Sequence, residues 1–323
     1  MNPRLPLTAA LLAAALTLAA CGGGGSSTPG GIGTPPPGTG TPPPGTGTPG
    51  LSDSDDPRVA RLGGLLERAD TLLQSSYHGR YSLAAEGEDT IADSFVEGVS
   101  CSGGRCVAAD GTATAVADLL DLDAGTDLET IEAALDTRGG FDTATTSGSF
   151  ENTQTLPDLT LTVSPEVTSY GFWGEHGFAA LALGAGALAA EIDGTAFAGD
   201  FSLAQAYVAG AATGANPAGT GSATWTGIAE ASPTGAFARL MGTATVTIAD
   251  LSRPRVGVAI DVPGHAIGAP GWADMALGNG AFTSGTAGTD YLSGNFHGPA
   301  HEEAWGVFDT ADYIGAFGAK RTQ

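Results

Sequence analysis

Three stretches of this 323-residue chain copy the spacing of motifs that do chemistry. The first is Phe178 to Leu183 followed by Gly184, Gly186 and Ala189, the outline of a dinucleotide-binding turn. A long helix must follow such a turn, with an acidic residue closing a second parallel strand about twenty residues on. Neither is present, so the stretch reads as a glycine-rich hairpin. The second is His301-Glu302-Glu303-Ala304-Trp305. A zinc-protease pattern needs its second histidine where Trp305 stands, and it needs a helix where this segment alternates like a strand. The third is Asp121, Asp123 and Asp127 with Glu132, the outline of a calcium loop. Gly125 falls one place early, and Thr126 takes the slot that needs glycine for the sharp turn. A helix start capped by Thr126 and Glu129 explains the same residues, with calcium as the alternative.

The five histidines (His78, His176, His265, His297 and His301) share no ligand spacing except the last pair, which flanks a Gly-Pro turn. Two ligands without a third describe turn-surface histidines better than a metal site. No Gly-x-Ser-x-Gly elbow occurs. No nucleophile, base and orienting group can be assembled, so the chain is expected to be no enzyme and to carry no cofactor or metal.

Charge narrows the partners. The chain carries 35 acidic and 12 basic residues, a net charge of −23. Residues 51–221 hold 26 of the acids against 6 arginines, whereas residues 222–323 hold 9 against 5 basic residues. Such a body repels DNA, RNA and anionic lipid, so nucleic-acid binding is excluded. It suits a basic partner, hard cations, or simply solubility in a salty medium.

Residues 1–20 read as a lipoprotein signal peptide. Arg4 is the positive start, Leu5 to Leu18 is an apolar run too short to span a bilayer, and Leu18-Ala19-Ala20-Cys21 has the form of a lipobox. Cys21 is thus the expected lipidation site, and Gly22 after it carries no acidic retention signal, which points to the outer membrane. Residues 21–56 form a tether in which Thr34-Pro-Pro-Pro-Gly-Thr-Gly repeats from Thr41. Proline triplets extend the chain and glycines add swivels, so no core forms there. The remaining cysteines, Cys101 and Cys106, bracket a Gly-Gly turn and are expected to form a disulfide in an oxidising envelope.

Residues 57–217 read as an α+β subdomain. Asp56-Pro57 caps a helix whose apolar spacing runs to about Ser75. Strands follow at 90–100 and 105–109, then helical spacing at 115–122 and 128–135. Strands are next expected at 159–163, 167–173, 178–183, 196–201 and 204–211. Residues 218–323 give eight short strands, at 223–230, 242–250, 255–262, 272–277, 280–284, 291–297, 302–309 and 313–319. Eight antiparallel strands can close into a barrel with no exposed edge. Alternation places Trp225, Val246, Ile248, Val258, Ile260, Met275, Phe282, Phe296, Phe308 and Phe317 inside, enough to plug the interior.

The end of the chain reads Phe296-His297-Gly298-Pro299-Ala300-His301-Glu302-Glu303-Ala304-Trp305-Gly306-Val307-Phe308, then Gly315-Ala316-Phe317-Gly318-Ala319-Lys320. This resembles the final barrel strands of the transferrin-binding protein B-like surface lipoprotein family. There the stretch runs Phe-x-Gly-Pro-x-Ala-Glu-Glu-x-Gly-Gly-x-Phe and later Gly-x-Phe-Gly-Ala-Lys. The chain departs at His301, where the family has Ala, and at Trp305, where it has Gly.

The resemblance implies a mainly β fold, a handle-like antiparallel sheet with one or two helices followed by an eight-stranded antiparallel barrel. It also implies a surface lipoprotein that binds an extracellular iron- or haem-carrier protein, or haem, beside an outer-membrane receptor. The alternative is a structural or adhesive envelope lipoprotein with no small ligand. Ligand contacts are expected on loops, because the strands are committed to the core. The candidates are the loop from His265 to Trp272 and the departures His301 and Trp305. Trp305, opposite in phase to Phe308, is either an exposed anchor or a cover between barrel and handle.

Overall fold

The computed structural model describes residues 51–83, 87–89, 93–107, 113–116, 128–149, 151–156, 159–192 and 195–322. The signal peptide, Cys21 and the tether lie outside these residues, as do Asp121, Asp123 and Thr126 of the calcium-like stretch.

The handle is larger than the sequence suggested. It is an eleven-stranded antiparallel sheet formed by β1 (Thr71–Leu83), β2 (Gly87–Asp89), β3 (Asp93–Ser102), β4 (Arg105–Val107), β5 (Ala113–Ala115), β6 (Leu135–Arg138), β7 (Phe141–Ser149), β8 (Asn152–Leu156), β9 (Leu159–Trp173), β10 (Gly177–Ile192) and β11 (Thr195–Gly210). The main order is β5-β4-β3-β1-β11-β10-β9-β7-β6. Cys101 and Cys106 pair across the β3–β4 hairpin as the expected disulfide, with Cα atoms 4.1 Å apart.

The first helix, Pro57–Leu66, starts on Asp56, which accepts the N–H of Arg58. It is shorter than its apolar spacing suggested, because Leu72 and Leu73 belong to β1, held in register between β3 and β11. A full ladder on both sides outcompetes weak helical spacing there. The second helix is Leu128–Ala133, and Leu135 already opens β6.

Two expected strand breaks disappear. β9 runs through Pro165, which has no N–H to offer a ladder. Pro165 sits where β7 pairing ends at Glu166 and β8 pairing begins at Val163, so no N–H is missed. Across from it lies Gly186, where an added Cβ would meet Pro165 Cα at 2.5 Å. The dinucleotide-like glycines therefore serve close packing within one 16-residue strand, β10.

The last third closes into the expected barrel: β12 (Ala223–Pro233), β13 (Leu240–Ile248), β14 (Arg255–Asp261), β15 (Met275–Gly278), β16 (Ala281–Ser284), β17 (Asp290–His297), β18 (Glu303–Thr310) and β19 (Tyr313–Arg321). All ten side chains assigned to the interior share one buried cluster. The barrel is filled. One strand start differs: Trp272 lies in a short 3-10 turn, Pro270–Ala273, before β15.

Candidate functional site

One face of the handle lies across the outside of β12, β18 and β19. Ala179, Ala204, Ala206 and Val208 from the sheet meet Ile228, Val307, Ile314 and Ala316 from the barrel. β18 is therefore buried along its whole length, inside and out. Small handle residues matter here, because they let the two layers approach closely.

Trp305 is the centre of this seam, so of its two expected roles it is the cover between barrel and handle and not an exposed anchor. It is 0% exposed and edge-on to Phe141 with centroids 5.3 Å apart, while it stacks on Phe172 at 5.6 Å. Two glycines make room. An added Cβ at Gly177 in the handle, or at Gly318 opposite Trp305 in the barrel ladder, would run into the indole. Phase alone named the outer face correctly but not what covers it.

Beside Trp305 stands Glu303, 2% exposed. Its carboxylate accepts the backbone N–H groups of Glu175 and His176, at 2.9 and 3.0 Å, and the indole N–H of Trp305 at 3.0 Å. A barrel carboxylate thus caps the β9–β10 turn of the handle. In register with Glu303, His297 is fully buried, and its Nδ1–H donates to the His176 carbonyl at 3.2 Å. Its Nε2 meets no protein partner. Burial pushes its pKa from the ordinary 6.5 down to about 4, so the ring is neutral.

A second polar joint lies toward the other end of the seam. Glu230, 1% exposed, takes Arg239 in a two-pronged bond at 2.7 and 2.9 Å. It also takes Arg138, on handle strand β6, at 2.8 Å. Arg239 lies over the Tyr170 ring of β9 at 4.3 Å. Burial pushes the Arg138 guanidinium below its usual range, whereas hydrogen bonding to Glu230 pushes Arg239 above it. Sequence patterning missed both joints, since a lone acid on a strand carries no spacing signal.

The four candidate ligand residues do not form one site. His265 and Trp272 lie in the β14–β15 connection, at the barrel end opposite the β17–β18 turn that carries His301. Trp272 is buried and donates its indole N–H to the Asp290 carbonyl at 2.7 Å, so it is no surface anchor. Half-buried His265 faces the Tyr313 hydroxyl at 3.1 Å. His301 adopts φ 58° in its turn, and its Nε2–H donates to the Ala215 carbonyl at 2.9 Å. His297 and His301 thus turn to different carbonyls. Among the described residues no group of three or more His, Cys, Asp or Glu side chains is placed to hold a metal ion.

An open depression of about 350 Å³ on the barrel wall is lined by Thr247, Arg253, Arg255 and Asp274. Arg255 is held by Asp274 at 2.5 Å and Arg253 by Asp250 at 3.6 Å, so the depression presents no free charge.

The handle outreaches the barrel. β10 has 16 residues and β18 has 8, roughly 53 and 26 Å at the usual strand rise. The barrel cover ends where Leu183 of β10 and Phe237 of the β12–β13 connection pack against the seam. From Ala185 outward, that sheet face is exposed at alternate residues.

No family model matches the chain, and no curated protein matches it. Among solved structures it is similar to a double mutant of transferrin-binding protein B from Haemophilus parasuis Hp5, at 12% identity and a TM-score of 0.28. The match covers 76% of this chain and 51% of that one, so the chain spans about half the length of the structure it matches. At that level of likeness it assigns neither a family nor a ligand.

Proposed function

We propose that this chain is a lipid-anchored, non-enzymatic binding protein of the outer membrane, exposed at the cell surface. It engages an extracellular partner through the outside of its handle and barrel. The observation that carries this reading is the filled barrel. Six aromatic rings, Trp225, Trp272, Phe282, Phe296, Phe308 and Phe317, pack with aliphatic side chains in its interior. A ligand therefore has to meet loops or outer faces, where the chain can vary without disturbing its core. The lipobox at Cys21 and the proline-rich tether suit a body held away from a membrane. The sequence resemblance of the last two strand pairs adds a partner class, an iron- or haem-carrier protein received together with an outer-membrane receptor.

Surface capture tests this. Cells carrying the wild-type chain should retain a labelled extracellular iron- or haem-carrier protein. Cells carrying Cys21→Ser should release the protein from the membrane fraction and lose capture. Retention of Cys21→Ser in the membrane would overturn the anchor, and wild-type cells that capture no carrier would overturn the binding reading.

A further inference from the structure

We infer that the part of the handle face projecting past the barrel is a docking surface for a protein partner with a cationic surface. The inference deepens the binding-protein reading by giving it a place and a charge. β10 continues from Ala185 with Ala187 and Ala189 exposed on the side that, nearer the turn, is sealed by the barrel. Alanine is a poor choice for an exposed strand, where β-branched or long polar side chains pack better against their neighbours. Its value is flatness, since short side chains let a second layer lie close to the sheet.

On that flat floor stand four exposed carboxylates. Glu166 pairs in the ladder with Ala185, Asp200 with Ala187, and Glu191 lies farther along the same face. Glu151 reaches Ser164 from the edge at 3.4 Å. The arginine where the barrel cover ends, Arg239, is already committed to Glu230.

The charge selects the occupant. Two copies of this chain would set carboxylates against carboxylates, and nucleic acid or anionic lipid would be repelled for the same reason. A cationic protein surface is attracted, oriented and brought in faster. The size fits as well. Eight residues each of β9, β10 and β11, widened by shorter stretches of β8, β1 and β2, give a face of roughly several hundred Å², the scale of a small protein contact.

Cytochrome c, a folded protein with a lysine-rich face, is a suitable probe for the full chain purified in detergent. Two triple variants separate this face from overall acidity. Glu166→Lys with Glu191→Lys and Asp200→Lys changes the face. Asp136→Lys with Asp261→Lys and Asp312→Lys makes the same change in net charge elsewhere, with folding of each checked by circular dichroism. The wild type should bind saturably and lose affinity steeply with salt. The face triple should weaken binding at least tenfold and the control triple less than twofold. Equal weakening by both triples, or no saturable binding by the wild type, would overturn the docking surface. A carrier protein that binds the wild type and the face triple alike would also overturn it, while leaving the binding-protein reading intact.

Discussion

Glu303, at the start of a barrel strand, holds its carboxylate against the backbone N–H of His176 in the handle at 3.0 Å. The two residues are 127 apart in sequence, yet this contact fixes how the sheet sits on the barrel. The same carboxylate takes the N–H of Glu175 and the indole N–H of Trp305, so one buried side chain serves two donors across the seam and a third on its own strand.

Removing it should loosen the seam before the barrel. Glu303→Ala leaves the buried indole N–H of Trp305 and two part-buried backbone N–H groups without an acceptor, and a loss of about 3 kcal/mol in denaturant unfolding is expected. Glu303→Gln keeps one acceptor and should lose less. Hydrogen exchange should quicken at Glu175 and His176 while amides of the barrel interior keep their protection. Uniform loss of protection throughout the chain would contradict a local joint.

Trp305 should behave as core. Trp305→Ala is expected to cost about 3–5 kcal/mol, in the range of large aromatic truncations. An exposed anchor would lose little stability on the same change, so a thermal midpoint near wild type would refute the seam geometry.

Which parts were legible follows from how local each signal is. Interior and exterior positions of the barrel alternate along every strand, and that period is written in the sequence residue by residue. That period places Phe296, Phe308 and Phe317 inside, and each is 0% exposed. The contact of handle with barrel has no such period. Trp305 lies on the outer face as its phase requires, but Gly177, which admits its ring from the handle, is far from it in sequence. Pro165 hid the continuity of β9 for a related reason, since only the ladder shows that its missing N–H falls between β7 and β8. The helix end was misplaced because Leu72 and Leu73 satisfy helical and strand spacing alike, and a distant partner, β11, decides between them.

Acid should weaken the fold through His297. Its folded pKa of about 4 lies below the ordinary 6.5, so between those values the unfolded chain takes up a proton that the folded chain refuses. Stability is therefore complete above pH 6.5 and falls as pH drops toward 4, by up to about 3 kcal/mol. His176 of the handle faces the ring, and Glu303 on β18 is the ladder partner of His297. His297→Gln keeps a donor for the His176 carbonyl and removes the titration. Urea midpoints between pH 6.5 and 5, above the carboxylate range, should slope in the wild type and flatten in this variant. Equal slopes would place the titrating group elsewhere.

The central claim is binding without chemistry by a body whose barrel is closed to ligands. Titrating the full chain with haem, and separately with extracellular iron-carrier proteins, tests it most directly when the ligand is recovered and analysed afterwards. Saturable binding, ligand returned unchanged and undiminished exchange protection inside the barrel are the predicted results. No saturable binding to any of them, or a ligand chemically altered on recovery, would contradict the account.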